Sequence, residues 1–161
     1  MSVFWDCKGV LLMEVLPRGQ TITADVYCQQ LDHLVVAIQE KRRRQLQGGY
    51  QQFHYLHDNA RPHTAGKTLE KLRQIGFTVL PHPPYSPDLA PSDFYLFSAM
   101  KSAIRGRNWN SEEEIRTALD AWIASKPRGF FADGIRKLPG RWQKCVSHHG
   151  DYFEHIADDD D

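Results

Sequence analysis

Asp58 and Asp93 are the residues best placed to do chemistry in this sequence. Asp58 lies in His57-Asp58-Asn59-Ala60-Arg61-Pro62-His63-Thr64-Ala65 and Asp93 in Tyr85-Ser86-Pro87-Asp88-Leu89-Ala90-Pro91-Ser92-Asp93-Phe94, with 34 residues between the two aspartates. Each falls where an extended pattern or a turn gives way to a helix, so the two carboxylates could converge at one edge of a sheet. Carboxylates brought together repel unless a cation bridges them, and hard divalent cations favour oxygen ligands. The pair suggests a magnesium site and metal-assisted phosphodiester chemistry. Arg61 is a reasonable neighbour for a phosphate or a metal, His63 could lie near phosphates, and the run Lys41, Arg42, Arg43, Arg44 could contact a nucleic-acid backbone. That run also suits the end of a helix, where cations complement the dipole. Asp88 reads as a turn residue in Ser-Pro-Asp, and a zinc set of His57, His63, His82 and Asp58 is set aside.

The elements that must position these groups follow from pattern. Residues 1–16 read as a hairpin, with Asp6-Cys7-Lys8-Gly9 as a type I turn. Thr23 caps a helix running to about Gln45, with Tyr27, Leu31, Leu34, Val35 and Ile38 at helical spacing. A strand over 53–56 ends at Asp58. A helix over 64–75 turns Leu69, Leu72 and Ile75 inward and stops at Gly76, before a strand over 77–80. After a proline-rich loop, Ser92 or Asp93 caps a helix to about Ile104. Ser111 and Glu114 form a capping box for a helix to about Ser125. A last helix over 135–146 breaks or kinks near Pro139-Gly140. This order describes an α/β sheet with helices packed on it.

Composition narrows the function classes. The 161 residues suggest one domain of ordinary size, residues 1–157, followed by an acidic tail, 158–161. Net charge is zero, but without the tail the chain holds 20 basic and 16 acidic side chains, a mild bias compatible with nucleic acid. Cys7, Cys28 and Cys145 have no paired spacing and read as free thiols. No apolar run is long enough to span a bilayer.

The motifs together resemble the catalytic domain of mariner-type DNA transposases of the Tc1/mariner superfamily. The resemblance rests on the two aspartate segments, on Phe4-Trp5-Asp6 with Gly9, on Ile135-Arg136-Lys137-Leu138-Pro139, and on Arg141-Trp142-Gln143-Lys144-Cys145-Val146. It covers nearly the whole chain. It implies an RNase H-like fold, cleavage at transposon ends, and joining of the freed 3′ hydroxyl to target DNA. Three aspartates hold two Mg2+ or Mn2+ ions in that family. The second and third stand 34 residues apart, and these carry over to Asp58 and Asp93.

The family's first aspartate lies on a central strand upstream of the Trp-Asp turn and finds no match here. Asp6 matches the turn and is rejected as its substitute. The resemblance therefore implies a truncated RNase H-like fold without its first central strand. The hairpin then either closes onto the 53–56 strand or leaves backbone groups unpaired at an edge, in a reduced sheet of about four strands. The expected protein is a transposase catalytic-domain fragment with impaired strand cleavage. The alternative is a non-catalytic, transposase-derived module that binds DNA or dimerises. Implied partners are transposon-end and target DNA, and a second copy or another transposase subunit. A nuclear location follows from the DNA substrate.

Overall fold

The computed structural model describes residues 1–17, 19–106, 109 and 111–153, so the acidic tail at 158–161 lies outside the described residues. Two compact units are present. The first holds Met1–Trp5 and Val10–Tyr85, and the second holds Asp6–Gly9 and the chain from Ser86 onward.

β1 (Ser2–Asp6) and β2 (Gly9–Glu14), which apart from Asp6 and Gly9 belong to the first unit, form the expected hairpin. Asp6 accepts the Lys8 N–H through Oδ1 at 2.8 Å, and Gly9 has φ +132°, a conformation that a side chain at this turn would resist. Burial alternates strictly along β2, with Leu11 and Met13 inward. Thr23 caps α1 (Ala24–Lys41) by accepting the Val26 N–H. The helix stops four residues short of its expected end, and short 3-10 turns at Gln45–Gly48 and Tyr50–Gln52 follow. These turns bring Leu46 and Tyr50 back onto the core. Lys41 sends its ammonium to the carbonyls of Val10 and Leu11 in β2, at 3.3 and 2.8 Å.

β3 (His54–Tyr55) pairs in parallel with β4 (Thr78–Val79), His54 opposite Thr78 and Tyr55 opposite Val79. Between them the expected single helix is two: α2 (Arg61–Thr64) and α3 (Gly66–Ile75), separated by extended Ala65 at φ −61°, ψ 141°. Gly76 ends α3 in the left-handed conformation, as its sequence position implies. The inward face of α3 differs from expectation. Leu69 is 49% exposed, whereas Thr68 is fully buried and donates to the Pro62 carbonyl at 2.6 Å. A satisfied hydroxyl is tolerated inside, and α1 packs against this Thr68–Leu72 face. Ion pairs Lys67–Asp25 and Lys71–Asp32 join the two helices. Tyr27, Leu31, Leu34 and Ile38 of α1 meet Leu11, Leu72 and Phe77 in one core.

The reduced sheet is thus two separate two-stranded ladders. The hairpin does not close onto β3. Both ladders instead reach Tyr27 of α1, through Phe4 on one side and Tyr55 on the other.

In the second unit, Ser92–Phe97 is a π-helix that runs into α4 (Ser98–Ile104), and Pro91 rather than Ser92 or Asp93 occupies its cap position. The Ser111 half of the expected capping box is present at α5 (Glu112–Ala124), where Ser111 Oγ accepts the Glu114 N–H at 3.2 Å. α6 (Phe130–Ser147) runs unbroken through Pro139 and starts five residues before its expected beginning. Leu96, Met100 and Leu119 are fully buried here, with Leu89, Phe131 and Leu138 nearly so.

Candidate functional site

Asp58 follows β3 in extended chain and turns the backbone into α2. Its Oδ1 accepts the Ala60 N–H at 3.0 Å and meets His63 Nδ1 at 2.5 Å. Pro62 in the first turn of α2 fixes the backbone that carries His63 back toward Asp58. The His63 side chain is 19% exposed and that of Asp58 is 53% exposed, so the histidine is the seated partner. His63 lies against the Tyr27 ring at 4.2 Å and stacks on His57 at 5.2 Å. Behind it, Tyr27 and Tyr55 share a 2.6 Å hydroxyl contact, and the Tyr27 hydroxyl reaches His57 Nδ1 at 3.3 Å.

Electrostatics sort these groups. Burial pushes both tyrosines well above their ordinary range, so they stay neutral. Burial likewise pulls His57 down to about 4, with the His63 and His82 rings adding to the effect and Asp58 opposing it. Burial acts to raise Asp58, but the Ala60 N–H and His63 outweigh it, and the carboxyl sits below its ordinary value. Asp58 is therefore a carboxylate at neutral pH. Its Oδ1 is held, and no described residue bonds its Oδ2.

His57 makes stability pH-dependent. The unfolded chain protonates this ring near its ordinary value of 6.5, whereas the folded ring resists until about 4. The unfolded state binds the extra proton between those values, so stability falls as pH drops through that window. After allowance for solvent screening the loss is about 1–2 kcal/mol. Urea unfolding in EDTA across the window should show this loss, and an unchanged slope in His57→Asn would remove His57 as its source.

Asp93 belongs to the second unit. It is exposed, the second residue of the π-helix, and its N–H donates to the Ala90 carbonyl at 2.8 Å while its own carbonyl accepts Ser98 Oγ at 2.9 Å. Single turns of π-helix occur often at functional sites. Among the basic residues, Lys41 is bound to β2 carbonyls and Arg42 donates to the Lys41 carbonyl at 3.0 Å. Arg43, Arg44 and Arg61 are exposed. Among the described residues no group of three or more His, Cys, Asp or Glu is arranged to hold a metal ion. No described helix is long and apolar enough to cross a membrane.

The His63 contact and the Tyr27–Tyr55–His57 network are absent from the sequence reading. The only local signal for the first was a histidine five residues after Asp58, with proline setting the turn between them.

Comparison with known proteins places this geometry. Over 154 residues the chain is 44% identical to the Mariner Mos1 transposase of Drosophila mauritiana, covering 96% of this chain and 44% of that protein. It is 37% identical over 159 residues to the histone-lysine N-methyltransferase SETMAR of Homo sapiens, covering 96% of this chain and 22% of that protein. The solved Mos1 transposase catalytic domain with raltegravir and Mg superposes with a TM-score of 0.87 at 43% identity, covering 93% of this chain and 74% of that one. The chain belongs to the mariner transposase family.

A family model described as transposase (partial DDE domain) matches residues 1–47. The Mos1 paired-end complex with left transposon end superposes with a TM-score of 0.86 at 44% identity, covering 94% of this chain and 43% of that one. The Mos1 catalytic domain has also been solved with Mn. This mariner chain thus spans less than half the length of the Mos1 transposase and of SETMAR. Its fold is the RNase H-like α/β arrangement that the motifs implied.

Proposed function

We propose that residues 1–157 are part of an RNase H-like transposase catalytic domain in which Asp58 and Asp93 hold divalent metal for DNA cleavage and strand transfer. The observation that carries this is the state of Asp58: ionised, fixed through Oδ1, and open at Oδ2. An oxygen donor of this kind suits Mg2+ or Mn2+, and solved Mos1 catalytic domains are described with each of them. When bound, the ions would activate water or a 3′ hydroxyl for attack on phosphorus. His63 keeps Asp58 from swinging into solvent. Arg61, two residues before it and exposed, is free to meet a phosphate, as are Arg43 and Arg44. Lys41 and Arg42 have intramolecular partners and can contribute to a DNA contact mainly through long-range charge. Transposon-end and target DNA are the proposed substrates, a second transposase subunit the proposed partner, and the nucleus the proposed location.

Calorimetric titration with Mn2+ tests the site. The wild-type chain should release heat on binding, and Asp58→Asn should weaken binding by about 100-fold or more, since losing even a partner that only orients a metal ligand costs about 10–100-fold. Equal heats from the two proteins would remove Asp58 from the site. The resemblance implies three catalytic aspartates, of which Asp58 and Asp93 match two, so the 161-residue chain by itself should nick transposon-end DNA far more slowly than full-length relatives. A rate matching theirs would refute that expectation.

A second reading is a non-catalytic module that binds DNA or another transposase subunit. It draws on the exposed side chains of Arg43, Arg44 and Arg61, which suit a phosphate backbone with or without metal. Transposon-end DNA shifted equally by wild type and Asp58→Asn, with no manganese heat in either, would favour it.

A further inference from the structure

Arg141 of α6 makes an unusual set of contacts within the second unit. Its guanidinium lies 4.0 Å from the centre of the Phe94 ring and 4.0 Å from that of Phe153, so it is sandwiched between two aromatics. Its Nη1 donates to the backbone carbonyl of Asp88 at 2.9 Å. Asp88 is 2% exposed, and its Oδ2 accepts the Phe153 N–H at 2.9 Å. Its other oxygen, Oδ1, is buried with no hydrogen-bond partner among the described residues. Burying a carboxylate with one oxygen unsatisfied is unfavourable. The carboxylate is held there by the Phe153 N–H, while Arg141 holds the Asp88 backbone carbonyl and the Phe153 ring. The planar guanidinium is what makes the set possible, since it stacks on rings and donates in its own plane at once.

The two segments that Arg141 grips flank Asp93. Asp88 is in the 3-10 turn Pro87–Leu89 just before the π-helix, and Phe94 is the residue after Asp93. We infer that Arg141 is a positioning residue, bracing both sides of Asp93 so that the π-helical turn presents its carboxylate in one place. This rests on the reading of Asp93 as a metal ligand for its purpose, though not for its geometry.

Hydrogen exchange on the 161-residue chain tests the brace without any metal. Arg141→Lys keeps the charge and loses the planar stack. It should speed exchange of the amides of residues 93–97 by about tenfold or more through local opening, and Arg141→Ala by at least as much. The amides of α1 should exchange as in wild type. Leu119→Val removes a buried methylene elsewhere in the same unit and serves as the control, leaving residues 93–97 protected. No rise in the Arg141 variants, or an equal rise in Leu119→Val, overturns the inference. Mn2+ titration separates the two readings. Where wild type binds manganese, Arg141→Lys should bind it several-fold more weakly, and equal binding also overturns the inference. Where wild type binds none, the metal reading fails and the exchange contrast alone decides for or against the brace.

Discussion

Leu31→Ala is expected to leave the first unit largely unfolded at physiological temperature. Leu31 has no solvent exposure and sits in the middle of the buried stripe of α1, between Tyr27 and Leu34. Truncating a buried leucine costs about 2–5 kcal/mol in transfer and cavity energy combined. A domain has only about 5–15 kcal/mol in total. This one starts from a weak position, because two ladders of two strands supply little cross-strand support and the side chains of α1 carry the core. Urea unfolding followed by far-ultraviolet dichroism would measure the loss. Val36→Ala, at a position 51% exposed on the same helix, should change stability by no more than about 0.5 kcal/mol. A loss at Leu31 as small as that would mean the core does not depend on α1.

The second large effect is at Gly134, where the usual rule for helices reverses. Alanine in place of glycine inside a helix normally stabilises by about 1 kcal/mol. A Cβ at Gly134 would stand 2.4 Å from Tyr95 Cδ1 and 2.9 Å from its Cγ. These are ring atoms near the root of the side chain, so a small rotation cannot clear them. The Tyr95 ring is hemmed in by Phe130 at 4.8 Å and by the Lys137 ammonium at 5.2 Å. Overpacking of this kind costs about 1–3 kcal/mol, so Gly134→Ala should destabilise the second unit despite its helical benefit. Gly140→Ala is the internal comparison. It lies in the same helix with nothing within 4 Å of its added Cβ, and it should stabilise by about 0.5–1 kcal/mol. Thermal melts of the two variants should move in opposite directions. Shifts of the same sign would mean that Tyr95 yields.

Much of the first unit was legible because local signals agreed. In α1 the Thr23 cap and the apolar spacing both pointed to one helix with one buried face. In α5, Ser111 and Glu114 did the same. The misreadings have a common physical source, which is packing between residues distant in sequence. Thr68 is polar by type and buried by virtue of the Pro62 carbonyl, so an apolar-only count chose Leu69 instead. Pro139 removes one helical hydrogen bond, but Phe131, Gly134 and Leu138 are buried before it and Arg141 is held by Asp88 and Phe94 beyond it, so α6 is anchored on both sides of the proline. The π-helix at Asp93 has no sequence signature; its Phe94 and Tyr95 pack against Arg141 and Gly134, both far along the chain. At Asp58 the motif revealed the carboxylate but not its support. Tyr27 lies 28 residues before Tyr55 and 30 before His57, and no spacing rule joins them.

Lys41 guards the hairpin. Its ammonium occupies two successive backbone carbonyls of β2, at Val10 and Leu11, and strand backbone guarded by lysine resists recruitment of another chain. A strand added at either carbonyl would first have to displace that ammonium. One lysine at the end of a helix thereby raises the cost of lengthening this ribbon at β2.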